Sequence, residues 1–205
     1  MKRKNALILF IVLAAALLVL DRATKIIAIE VLSNSGPVAF LPAFLDFVLV
    51  YNTGGAFGLF EGGGVLFVGV ALIAVVAIVV YLIKAQQLLP PVVVALSLIA
   101  AGALGNAYDR AVSGAVPDFI HTLFIEFPVF NVADCCLTIG EAVLVVAAAI
   151  YWFRPKKQPD EHSGIDQHGA ETAGRAHLEA NNPEASALHE DEQQKGPDLQ
   201  ASLEP

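Results

Sequence analysis

Four stretches of this chain are so continuously apolar that they leave the backbone little choice. They cover residues 6–20 (extended past a charged patch by 26–32), 62–83, 88–108 and 135–153. A segment immersed in hydrocarbon must pair every backbone N–H and C=O within itself, so such runs predict membrane-spanning helices. The last three are each about 20 residues, enough to cross roughly 30 Å of bilayer core. The first reaches that length only if its helix continues through Asp21-Arg22-Ala-Thr-Lys25. Pro90-Pro91 suits the first turn of the third helix, where a missing N–H costs nothing. Uncut apolar sequence into Asp21-Arg22, with no small-x-small site following, argues against a cleaved signal peptide.

Composition agrees. The 205 residues are 56% hydrophobic and 16% charged, against roughly 25% charged for soluble domains. The net charge of −8 belongs mostly to one end. From Pro155 onward there are eleven Asp/Glu and four Lys/Arg, a net of −7, while the first 154 residues hold nine acids and eight bases. Two regions are therefore expected, an integral membrane domain at 1–154 and a disordered acidic cytoplasmic tail at 155–205, which cannot bury enough apolar surface to order itself. His162, His168, His177 and His189 lie too loosely in that tail for a metal site. The nearly neutral membrane part offers no nucleic-acid surface. Cys135 and Cys136 are adjacent, unsuited to a mutual disulfide or a zinc site, and read as small packing residues.

Basic residues orient the spans. Lys2, Arg3 and Lys4 precede the first, Lys84 lies between the second and third, and Arg154, Lys156 and Lys157 follow the fourth. Residues 33–61 contain no Lys or Arg. The positive-inside rule then puts both termini in the cytoplasm and the two longer loops outside. Residues 45–51 read as a strand and Asn52-Thr-Gly-Gly as turn chemistry, equally compatible with a hairpin resting on the membrane. The predicted class is an all-α membrane protein, four transmembrane helices with a small extracytoplasmic β-rich loop region.

The polar residues of the membrane part gather at the outer face. Asp21 and Lys25 stand four apart, and spacing alone favours an interface ion pair with Lys25 snorkelling outward. Gly102, Gly105 and Asn106 allow close helix approach and place an amide inside the bundle. Asp109 and Arg110, adjacent on a helix, point in different directions and should each bond another segment. Asp134 directly precedes the fourth run, where a carboxylate caps free N–H groups. Asp118, between Pro117 and Phe119, has no helix to cap. Two carboxylates near a bilayer, 16 residues apart across one loop, ask for a functional explanation.

Five pieces carry a resemblance: Asp21…Thr24-Lys25, Asn52-x-Gly54-x-Ala56-Phe57, Gly102-x-x-Gly105-Asn106-x-x-Asp109-Arg110, Asp118-Phe119-Ile120 and Phe130-Asn131-x-Ala133-Asp134. In this order and context the chain resembles the bacterial lipoprotein signal peptidases (signal peptidase II), intramembrane aspartic peptidases. The resemblance implies Asp118 and Asp134 as catalytic dyad, with Asp21, Lys25, Asn52, Gly54, Gly102, Asn106, Asp109, Arg110, Asn131 and Ala133 binding substrate or supporting the site. It implies no metal and no cofactor. The implied substrate is a prolipoprotein cut N-terminal to its diacylglyceryl-modified Cys, by a monomer among the lipids of the bacterial inner membrane. Pro117, Ala101 and Cys135 depart from the family's usual residues, at positions outside the chemistry. Glu141, about 10 Å deeper than Asp134 at 1.5 Å per residue, is expected to face the bundle outside the catalytic set. A proton-coupled carrier using Asp118, Asp134 and Glu141 is the rival reading, disfavoured because the acids collect at one face.

Overall fold

The structure, a computed structural model, describes residues 1–55 and 62–153. The expected acidic tail, and Ala56 and Phe57 of the loop motif, lie outside the described residues. Four helices are long and apolar enough to cross a membrane: α1 (Arg3–Ser35), α2 (Gly64–Lys84), α3 (Pro90–Ser113) and α4 (Val132–Trp152). A three-stranded antiparallel sheet in the order β1-β2-β3 joins Val38–Leu41, Leu45–Asn52 and Val116–Thr122.

α1 runs without a break through the Asp21–Lys25 patch, because those side chains find partners on other helices. Prolines occupy the first turn of α3, and Gly114, in the left-handed region at φ 74°, ends it. The helices expose apolar side chains such as Ile73, Val76, Val145 and Ile150, as segments solvated by lipid do. α3 is central, packed against α4, α1 and α2. Ala6, Phe10, Ile78, Leu82, Leu88, Val93, Leu96 and Ala100 form one core cluster. A second, at the sheet end of α1, packs Ala28 and Leu32 against Phe119.

The β-rich expectation holds, with a different wiring. Among the described residues β2 pairs with β1 upstream and with the distant β3. β3 carries Asp118 through its middle and was hidden in the sequence by Pro117. That residue is tolerated because β3 lies at the sheet edge, where a missing N–H breaks fewer ladder bonds. The register passes from Phe47↔Ile120 to Val50↔Asp118, so β2 carries one extra residue beside Asp118, a bulge of the kind that re-aims side chains.

Candidate active site

Three elements bring the acidic residues to one place. β3 carries Asp118 opposite Val50. Beyond β3 the chain folds back through an isolated bridge, Ile120 to Phe130, whose backbone N–H groups and carbonyls pair at 2.8 and 3.0 Å. This return sets Asn131, the N-cap of α4, beside Asp118. Asn131 Nδ2 donates to Asp118 Oδ1 at 2.6 Å. Its backbone N–H donates to Asp134 Oδ2 at 3.0 Å, while Asp134 N–H donates back to Asn131 Oδ1 at 3.1 Å. That reciprocal pair is a capping box. The fourth helix thus starts three residues before its apolar run, and Asp134 stands inside its first turn and does not precede it.

Carboxamides complete the arrangement. Asn52 Nδ2 donates to Asp118 Oδ2 at 3.0 Å, and its own Oδ1 accepts the Gly54 N–H. Asn106 Nδ2 donates to Asp134 Oδ1 at 2.7 Å. Each oxygen of both carboxyls therefore accepts one donor. Both carboxyls line one cavity of about 490 Å³, with Asn52, Asn106 and Arg110 and an apolar remainder that includes Phe127, Phe130, Leu137 and Ile139. Asp118 is only 2% exposed. Burial pushes its carboxyl up to about 6; the Asn52 hydrogen bond opposes this, and the Asp134 charge adds to it.

Behind the cavity lies a layer of charge. Lys25, 0% exposed, reaches Asp21 at 2.9 Å, Asp109 at 2.7 Å and Asn106 Oδ1 at 3.0 Å. The outward-snorkelling Lys25 expected from spacing is thereby corrected. A buried ammonium is tolerated only with such partners, and a carboxylate on the neighbouring helix supplied what one on its own could not. Asp109 also takes Arg22 Nη1 at 2.6 Å. Asp21 Oδ1 accepts the Ala133 N–H at 3.0 Å, tying α1 to the first turn of α4.

Asp109 and Arg110 do part ways along α3. Arg110 donates through Nη2 to the Gly54 carbonyl at 2.7 Å and stacks over the Phe67 ring, anchoring the chain just after β2. Gly102 and Gly105 are demanded by contact: a Cβ at Gly102 would collide with the Ala133 carbonyl oxygen, and one at Gly105 would stand 2.6 Å from Asp21 Oδ2.

All twelve sequence-nominated residues thus belong to one connected cluster at the sheet end of the bundle. One reading fails. Glu141 is exposed on α4, not turned into the bundle; the buried stripe of that helix runs through Ala133, Cys136 and Gly140, and Glu141 is displaced from it by one residue. Cys135, free and half-buried, lines the cavity beside Asp134. Sequence reasoning also left out Arg22, although Asp21, Asp109 and Lys25 already gave two buried acids to one base. The apolar lining of the cavity had no sequence signal at all.

A multi-pass helical membrane protein with paired carboxyls at one end of the bundle is the class defined by this fold and cluster. Residues 13–150 match the family described as "Signal peptidase (SPase) II", and the chain belongs to that family. It is 39% identical over 138 residues, 66% of this chain and 91% of the relative, to the lipoprotein signal peptidase of Symbiobacterium thermophilum. Against that of Hydrogenovibrio crunogenus it is 38% identical, covering 74% and 90%. Among solved structures, a bacterial membrane enzyme superposes with a TM-score of 0.66 at 32% identity, covering 74% of this chain and 94% of that one. A second does so at 0.59 and 34%, covering 68% and 91%. The chain is a membrane peptidase by family.

Proposed function

We propose that this protein is an aspartic endopeptidase of the bacterial inner membrane that removes the signal peptide from diacylglyceryl-modified prolipoproteins, cutting N-terminal to the lipidated Cys. The observation that carries this reading is the convergence of Asp118 and Asp134 on one cavity, with Asn131 bonded to both carboxyls. One aspartate, ionised, takes a proton from a water between the carboxyls. The protonated partner polarises the scissile carbonyl, and the roles then reverse to expel the amine. Like-charge repulsion keeps a single proton on the pair. The positive-inside rule, applied to the basic residues that flank the spans, supports cytoplasmic termini and a cavity at the outer face. There the substrate's acyl chains stay in the bilayer while its scissile bond meets water. A monomer holds every group the reaction uses.

Purified protein given a diacylglyceryl prolipopeptide should release a fragment beginning at the modified Cys, and should leave the unlipidated peptide intact. Cleavage at another bond, or equal cleavage of both peptides, would overturn the substrate assignment. Among the described residues no three His, Cys, Asp or Glu gather in metal-binding geometry, so a chelator is expected to leave the rate unchanged.

The pH profile follows from the Asp118 carboxyl. The reaction needs one proton on the pair, and that proton is retained below about 6 and lost above it. kcat/KM, which reports the free enzyme, should therefore fall as pH rises through about 6. The macroscopic value belongs to the pair. In kcat the same limb should lie at higher pH, because bound substrate buries the carboxyls further. A kcat/KM flat from pH about 5 to about 8 would contradict the shared proton.

A further inference from the structure

Resting on the dyad reading above, we infer that Lys25, acting through the Asn106 carboxamide, keeps Asp134 the ionised member of the pair and leaves the shared proton on Asp118. An ammonium can only donate. With Lys25 Nζ 3.0 Å from Asn106 Oδ1, the Asn106 carbonyl faces Lys25 and its NH2 faces Asp134 Oδ1 at 2.7 Å. A free carboxamide beside a carboxyl turns over when that carboxyl gains a proton, and then accepts from it. Here the turn would press the NH2 against a buried ammonium and against the Asn131 Nδ2, which donates to the same Asn106 oxygen at 3.2 Å. Asn106 is thus an obligate donor in both protonation states, so a proton on Asp134 Oδ1 would meet a hydrogen instead of a lone pair.

The other Asp134 oxygen accepts the Asn131 backbone N–H, a donor that cannot turn over as a carboxamide can. Standing in the first turn of α4, Asp134 also meets the positive end of the helix dipole. Asp118 differs on each count. Its two carboxamide donors are oriented by neutral groups, Gly54 N–H on Asn52, and Asp134 N–H and the Asn106 carbonyl on Asn131. It lies in a strand with no helix terminus behind it, and its deeper burial favours the neutral form.

Charge alone does not explain the arrangement. The groups around Lys25 are Asp21 and Arg22 of α1 and Asp109 of α3, two acids and two bases with Lys25 included. The cluster is balanced, and what it exports toward the cavity is a hydrogen-bond direction. Arg110 of α3 and Cys135 of α4 are the remaining titratable groups on the cavity wall, and neither touches the Lys25–Asn106 contact.

The test uses the full chain in detergent and the infrared band of protonated carboxyls at about pH 5, above the ordinary carboxylate range. In the parent that band should contain a component lost in Asp118→Asn and kept in Asp134→Asn. The double variant Asp21→Asn/Lys25→Met removes one acid and one base, keeps the charge balance, and takes the ammonium away from the Asn106 carbonyl, leaving only the longer Asn131 contact there. Added to Asp118→Asn it should make a protonated Asp134 band appear. Alone it should lower kcat by about 10- to 100-fold, the loss of one hydrogen bond to a charged group, with KM nearly unchanged. Asn106→Leu should match it, and the combination should be no worse than either. A band lost in Asp134→Asn instead of Asp118→Asn overturns the inference, as does a double variant with parental kcat. If the double variant does not fold, the parental band assignment and Asn106→Leu still decide. Should Asp118→Asn and Asp134→Asn both cleave normally, the aspartic dyad reading fails while the band still reports where the proton sits.

Discussion

Asp118→Asn and Asp134→Asn are each expected to lower kcat by about 10³-fold, within the range that a positioned general acid or base supplies. The loss should fall on kcat far more than on KM, because the carboxamide keeps the volume of the carboxylate and one of its two hydrogen bonds. A carboxamide at position 118 can still accept from Asn131 or Asn52, and one at position 134 can still hold the Asn131 N–H and so cap α4. The two variants should therefore fold and still bind the lipidated peptide. Because each carboxyl is useless without its partner, the double variant should be scarcely slower than either single one. Steady-state cleavage of a diacylglyceryl prolipopeptide, together with a thermal unfolding curve in detergent, separates lost chemistry from lost structure. Parental rates in both single variants would end the aspartic reading.

Gly102→Ala should be the most damaging small substitution in the membrane domain. The new Cβ would collide with the Ala133 carbonyl oxygen and stand 2.8 Å from Leu137 Cγ. The carbonyl is backbone in the first turn of α4, so it can yield only by carrying Asp134 with it. Overpacking of this kind costs about 1–3 kcal/mol, and the shift would also stretch the Asn106–Asp134 hydrogen bond. Both the unfolding midpoint and kcat should fall. Gly69→Ala in α2 is the control: its Cβ meets nothing within 4 Å, and alanine's better helix propensity should make it neutral or slightly stabilising. Equal stability and turnover in the two variants would show that α3 and α4 have room to part, against the contact geometry.

The lateral arrangement gives the carboxyl pair its setting. α3 is the shared wall, with α4 on one side and α1 and α2 on others. The sheet and the return through Ile120 and Phe130 close the end of the bundle that holds the carboxyls. A peptide entering from the bilayer would keep its apolar helix among lipid-facing side chains while only its extended part reached the carboxyls. The apolar lining from Phe127 to Ile139 is suited to such a partner, since it asks for no hydrogen bonds along most of its surface.

The four spans, their order and the class of the protein were legible in the sequence because hydrocarbon allows one answer to an apolar run: pair the backbone within the segment. The polar residues at one end of the spans stood out for the same reason, being costly where they lie. Tertiary structure alone decided their partners. Spacing paired Lys25 with Asp21 and sent it toward solvent, but the distant Asp109 carboxylate on α3 drew it inside. Asp118 looked unplaced because its strand has no alternation to betray it and a proline near its start; pairing with Val50 of β2 and closure by Phe130 gave it a position. Glu141 kept its depth and lost its direction, since one residue along a helix turns a side chain through about 100° at 3.6 residues per turn. Periodicity in a chain reports which solvent a segment will meet. Which two side chains will meet each other depends on how separate segments dock, and that is a property of the packed bundle.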